Sequence, residues 1–197
     1  KSFNKIFEES IDIISQEVEG MKDLVNEFLR FARMPTPSLK PNSLHEIINN
    51  VYTLYKNNKK NITIKKNYDP NVTQVNIDAE QFRRIFINFF ENSIDALEDN
   101  GKIEISTKIN FTVNKIFIRF LDNGAGIPNT DRDKLFLPHF TTKKRGTGLG
   151  LAIVNRIVAD HGGTITVKNN QPHGTIFEIQ IPCTHAPFNE EPAPPSF

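Results

Sequence analysis

Apolar residues recur at Phe7, Ile11, Ile14, Val18, Met21, Val25, Phe28 and Ala32, in steps of four and three that put them on one side of a helix. Ile6, Ile13, Leu24 and Phe31 widen the stripe beyond a two-stranded seam. It therefore predicts a bundle, with a second copy of the chain as the simplest partner; packing on the chain's own globular part is the alternative. Pro35, Pro37 and Pro41 end the helix and predict a stiff linker over 35–42. Ser43 and Glu46 form a capping box that opens a second helix through Leu44, Ile47, Ile48, Val51, Leu54 and Tyr55. Alternation over 62–68 and 72–77 predicts two strands, and Asp78 opens a helix through Phe82, Ile85, Phe86, Phe89, Ile94 and Leu97 that stops at Asn100-Gly101. Strands over 103–109 and 116–121 flank a polar turn near Asn114. A helix through Leu151, Ile153, Val154, Ile157 and Val158 then ends at His161-Gly162-Gly163, and a hairpin follows around Pro172-His173-Gly174. This order predicts an α/β two-layer sandwich: a mixed sheet with helices on one face, preceded by a long helix.

Composition narrows the class. A chain of 197 residues with 38% hydrophobic content has room for one packed domain and an added element. A net charge of +1 argues against nucleic acid as partner. Neither an apolar run of roughly 20 residues nor a signal-peptide pattern is present, so a cytoplasmic setting is expected, with any membrane attachment upstream. The first residue is Lys1, and the chain is expected to be part of a longer protein. The single cysteine, Cys183, excludes an internal disulfide and reads as a packing residue after a strand. Lys56, Lys59, Lys60, Lys65 and Lys66 read as a solvated basic face. The Pro-, Glu-, Asn- and Ser-containing end predicts a flexible tail over 184–197.

Two glycine clusters bring in chemistry. Asp122-Asn123-Gly124-Ala125-Gly126-Ile127 and Gly146-Thr147-Gly148-Leu149-Gly150-Leu151 flank a segment holding Lys143, Lys144 and Arg145, and the second cluster runs into a helix. Glycine permits close backbone approach, and the N–H groups of a helix start hold anions, so the pattern predicts a nucleotide phosphate site. No segment matches a Walker loop, the spacing is wrong for a Rossmann fingerprint, and the His-Arg-Asp and Asp-Phe-Gly segments of eukaryotic-type kinases are absent. Asn88 and Asn92 lie one turn apart on a helix, facing one way, and amide oxygens suit Mg²⁺ already bound to phosphate.

Four blocks in order resemble the catalytic, ATP-binding domain of sensor histidine kinases, in the wider family with gyrase, Hsp90 and MutL. Asn88–Ala96 resembles the N box, Asp122–Ile127 the G1 box, Phe136–Lys143 the F box and Gly146–Leu151 the G2 box; Gly174-Thr175-x-Phe177 resembles the last segment of the fold. Phe31-Ala32-Arg33-Met34-Pro35-x-Pro37 resembles the end of the second dimerisation helix in nitrogen-regulation type kinases. The resemblance implies a Bergerat-type fold over 43–183 and a second bundle helix over 1–34. It implies ATP and Mg²⁺ as cofactors, a response-regulator receiver domain as partner, and donation of the γ-phosphate to a histidine.

It also implies residue roles. Asn92 ligates the metal, Asn88 helps hold metal or phosphate, and Asp95 either approaches the metal or is solvated. Asp122 accepts from the adenine amino group, Gly124 and Gly126 run close to the base, and Ile127 is its apolar wall. Lys143 meets the terminal phosphates, Gly146, Thr147, Gly148, Leu149 and Gly150 form the phosphate-side loop, and Thr175 belongs to the closing segment. Hydrolysing relatives carry a Glu at the place of Asn88, so phosphoryl transfer is favoured over ATPase action. Glu91 is expected to point elsewhere, being rotated about 100° from Asn92. Residues 128–145 are expected to form a lid anchored by Phe136 and Phe140, with His139 a departure from the usual Phe. His45-Glu46 lacks the basic residue and Pro of an acceptor segment, so the acceptor histidine is expected upstream and no autophosphorylation is expected from this chain alone. A clamp ATPase of the gyrase or Hsp90 kind and a non-catalytic nucleotide-binding scaffold are the competing readings.

Overall fold

The computed structural model describes residues 3–57, 60–143 and 146–183, with side chains at 3–6, 23, 24, 27 and 30 excepted. The elements are α1 (Phe3–Ala32), β1 (Lys40–Asn42), α2 (Leu44–Tyr55), β2 (Thr63–Asn67), β3 (Val75–Ile77), α3 (Ala79–Ala96), β4 (Lys102–Asn110), β5 (Lys115–Asp122), a short 3₁₀ helix (Asn129–Lys134), α4 (Gly150–Asp160), β6 (Thr164–Asn169) and β7 (Thr175–Pro182). The described residues fall into two compact units: those up to Thr36 together with Asp133–Ile153, and Pro37–Arg132 together with those from Val154 onward. The tail expected over 184–197, with His185, and Lys59, Lys144 and Arg145 lie outside the described residues.

The larger unit is built on a five-stranded sheet in the order β2-β4-β5-β7-β6. β2 runs parallel to β4 and the remaining pairs are antiparallel, so the sheet is mixed as its strand pattern predicts. Period-two alternation sorts its faces. Ile105, Phe120 and Phe177 are in register on three strands, as are Thr107, Ile118 and Ile179, and all six are buried. The opposite face carries Arg119, Lys168 and Glu178, joined as ion pairs.

Helices cover the buried face. On α3 the stripe Phe82, Ile85, Phe86, Phe89 and Phe90 is fully buried. Phe89 packs against Phe120 at 5.3 Å and Phe177 at 4.7 Å between ring centroids, and Phe90 meets Phe120 edge-on. α2 contributes Leu44, Ile47, Ile48 and Val51 to the core. Ser43 caps α2 by accepting from the Glu46 amide at 3.2 Å, and Asp78 caps α3 by accepting from Gln81 at 3.0 Å.

Two features correct the reading of the sequence. Residues Lys40–Asn42 of the proline-rich segment form a strand paired antiparallel with β3, where the Asn42 amide donates to Ile77 O at 2.8 Å. Lys60, read as solvated, is half-buried and donates to both Ile94 O and Leu97 O at 2.7 Å, closing the C-terminal end of α3. A cation at the end of a helix meets unfilled carbonyls and the negative end of the helix dipole, which draws it out of solvent.

In the smaller unit α1 is one unbroken helix, and Phe7, Ile11, Ile14, Val18, Met21, Val25 and Phe28 of its stripe are all exposed. Leu135 is buried, while Phe136 and Phe140 are half-buried. His139 has a left-handed backbone, φ 68°, and its ring stacks on Phe28 of α1 at 5.8 Å. No helix among the described residues is long and apolar enough to cross a membrane.

Candidate functional site: a buried carboxylate at a strand end

Asp122 closes β5, and the alternation that turns Ile116, Ile118 and Phe120 inward also turns its side chain inward, leaving it 2% exposed. There its carboxylate meets three donors. Oδ1 accepts from the Gly124 amide at 2.9 Å and the Thr175 amide at 3.1 Å, and Oδ2 accepts from the Ser93 hydroxyl at 2.8 Å. The loop that follows closes onto the end of α3, where Ala125 N–H donates to Ala96 O at 3.2 Å. A Cβ on Gly124 would lie 2.7 Å from that carbonyl, so glycine is required for this approach. The β6–β7 turn holds the loop from the other side: the Asn170 amide donates to Asp122 O at 3.0 Å, and His173 Nδ1 is 2.9 Å from Asn123 O. Gly174 has φ 116°, and a Cβ there would sit 2.1 Å from Asp122 O.

The structure thus brings Asp122, Gly124 and Thr175 directly together, with Gly126 (φ 74°) against Gly174 and Ile127 half-buried beyond it. Ser93 and Asn170 join them, and sequence reasoning missed both. Ser93 did leave a signal, since it occupies the next step of the Phe82, Phe86, Phe89 stripe, where an apolar residue is expected. Asn88, Asn92 and Asp95 share α3; the two asparagines are half-buried and Asp95 is exposed. The Asn88 amide nitrogen donates to Arg84 O at 2.8 Å, which turns its oxygen away from its own helix. Glu91 is engaged from α2 by the Tyr55 hydroxyl at 3.4 Å. Burial foremost, then the Glu91 charge and this hydrogen bond, push the Tyr55 hydroxyl up to about 12.

Lys143 and Gly146–Leu149 belong to the smaller unit. Thr141 Oγ1 accepts from the Lys143 amide at 3.1 Å, Gly146 N–H donates to Lys143 O at 3.2 Å, and Thr147 Oγ1 accepts from Leu149 N–H at 3.4 Å. Gly150 starts α4, and the N–H groups of a helix's first turn attract anions.

His45 and His161 have structural partners. His45 Nε2 is 2.9 Å from Thr107 Oγ1, and its ring stacks parallel to Tyr68 at 4.3 Å. His161 accepts the Asp78 amide at Nε2 (3.0 Å) and places Nδ1 2.7 Å from Ile157 O. Cys183 is buried after β7, and burial pushes its thiol up.

The fit to a nucleotide rests on the donor set. A buried carboxylate is an acceptor only, which suits an amino-bearing base and rejects a carbonyl in the same place. Asn88 and Asn92 offer neutral hard oxygens, and among the described residues no group of three or more His, Cys, Asp and Glu side chains stands together to hold a metal by itself.

The family described as histidine kinase-, DNA gyrase B-, and HSP90-like ATPase matches residues 77–185, and the chain belongs to that family, on its sensor histidine kinase branch. A putative NtrY-like sensor histidine kinase of Rickettsia bellii is 32% identical over 177 residues, covering 89% of this chain and 29% of that protein. The nucleotide-free catalytic domain of histidine kinase ThkA is 35% identical with a TM-score of 0.67, covering 73% of this chain and 95% of that one. The structure of ThkA in complex with the response regulator protein TrrA gives a TM-score of 0.74 at 29% identity, covering 93% of this chain and 53% of that one. The chain spans less than half the length of the curated relatives it matches.

Proposed function

We propose that this chain is the ATP-binding catalytic part of a sensor histidine kinase, donating the γ-phosphate of ATP to a histidine supplied by another segment for relay to a response-regulator aspartate. The observation that carries this reading is the Asp122 carboxylate, buried at a strand end and held by Gly124, Thr175 and Ser93. In it, Asp122 accepts from the adenine amino group. Asn92, helped by Asn88, holds Mg²⁺, which draws charge off the phosphates, and Asp95 stands at the edge of that set. Lys143 and Gly146–Gly150 take the phosphates, and residues 128–145 act as the lid.

Residues 1–34 act as a bundle helix pairing with a second copy and 43–183 as the catalytic domain, in the cytoplasm. The capture of Glu91 by Tyr55 and the amide at position 88 favour transfer over hydrolysis, because neither leaves a carboxylate to activate water at position 88. The partner chemistry is supported by the complex of ThkA with TrrA. Calorimetry of ATP binding with and without Mg²⁺ tests the site. Wild type should gain affinity from Mg²⁺ and Asn92→Ala should lose about tenfold of that gain, as expected for one lost metal ligand. An unchanged Mg²⁺ effect in the variant removes Asn92 from the metal.

A further inference from the structure

We infer that Ser93 is a positioning residue for base selection: its hydroxyl leaves the Asp122 carboxylate one open acceptor position, which selects a purine carrying an exocyclic amino group. This rests on the proposed reading of Asp122 as the adenine reader. An ionised carboxylate has about four acceptor positions. Two on Oδ1 are taken by the Gly124 and Thr175 amides, and one on Oδ2 by Ser93; among the described residues these are the carboxylate's donors. The single remaining position matches one N–H of an amino group.

The three donors come from three separate pieces of chain: the loop after β5, the start of β7 and helix α3. Together they fix both the plane and the rotation of the carboxylate. The two backbone donors both fall on Oδ1, so only Ser93 sets the direction left open on Oδ2. Ser93 and Asp122 are 1% and 2% exposed, so water is a poor substitute for the hydroxyl. Serine at this point also interrupts the phenylalanine stripe of α3, a position where an apolar residue would serve packing better. Its hydroxyl is therefore accounted for by Asp122 rather than by the core.

Binding of two nucleotides by calorimetry separates this role from a structural one: ATP, and purine riboside 5′-triphosphate, which lacks the amino group. Wild type should bind ATP on the order of tenfold more tightly than the purine analogue, the difference being one hydrogen bond to a charged acceptor. Ser93→Ala should weaken ATP by about the same factor and leave the analogue within about twofold. Ser93→Cys keeps a donor of similar shape but weaker hydrogen bonding and should show the same pattern at smaller amplitude, which keeps the test usable if the alanine variant does not fold. Equal losses for both nucleotides in either folded variant overturn the inference while leaving Asp122 as adenine reader. Equal affinities in wild type remove the adenine reading and the inference with it.

Discussion

At the scale of single residues, position is set by strand period and by a few charge-assisted bonds. Asp122→Asn exchanges an acceptor for an amide whose nitrogen cannot face the Gly124 and Thr175 amides and whose oxygen carries no charge. A hydrogen bond to a charged group contributes about 1.5–3 kcal/mol, so Mg-ATP affinity should fall on the order of ten- to a hundredfold by calorimetry. Little change contradicts adenine recognition by Asp122. His45 tests a different bond. Burial lowers its pKa and the nearby Asp69 charge offsets this only partly, so the folded value lies below the ordinary 6.5. The neutral ring's contribution is then complete above 6.5 and declines as pH falls from there toward the folded value, because the unfolded chain takes up the proton first. Thermal midpoints measured from pH 7.5 downward should show that decline in wild type and a shallower one in His45→Gln; parallel curves refute it. Asp122, Gly124 and Gly126 were legible in the sequence because a strand end followed by glycines is a local pattern. Ser93 and Asn170 reach Asp122 from 29 and 48 residues away, and no spacing rule joins them.

At the scale of elements, periodicity located the four helices and every strand but β1, and the cap signals located the starts of α2 and α3, while α3 ends at Ala96, short of the expected stop at Asn100-Gly101. The heptad steps of α1, the Ser43 and Asp78 caps and the β4–β5 turn near Asn114, which has φ 50°, all follow from neighbours within a few residues. What the chain order hides is pairing. β1 joins β3 across 35 residues, as the Asn42–Ile77 bond shows, while β2 runs parallel to β4. Lys60 escaped a reading by composition because its partners, Ile94 O and Leu97 O, are carbonyls of a distant helix end, and a lysine-rich stretch gives no sign of which amine is captured. Lys60→Met keeps the length of the side chain and removes the charge. It should lower stability by ~1 kcal/mol in denaturant unfolding, the usual contribution of a cation at a helix terminus with two carbonyls to fill. A variant as stable as wild type would mean that these carbonyls are satisfied without the ammonium.

At the scale of the whole molecule, the chain carries a buried carboxylate constellation, proposed above as a nucleotide site, and a helix whose apolar stripe stands exposed in a single copy. An exposed stripe of this regularity costs apolar hydration along its length unless covered, which is the physical ground for proposing a second copy over residues 1–34. The identities of the blocks were readable because four of them stand in a fixed order; the fate of the phosphate is not encoded in any one of them. It depends on whether water or a histidine meets the γ-phosphate; position 88 carries an amide rather than a carboxylate, and Glu91 accepts from the Tyr55 hydroxyl at 3.4 Å. The direct measurement is the fate of label from γ-³²P ATP and Mg²⁺, with this chain and a separate helix carrying a His-Glu-x-Lys/Arg-Asn-Pro segment. The expected result is acid-labile label on that histidine, lost with Asp122→Asn. Label released as inorganic phosphate with the histidine unmarked, while ATP is bound, would contradict the kinase account and favour a clamp ATPase.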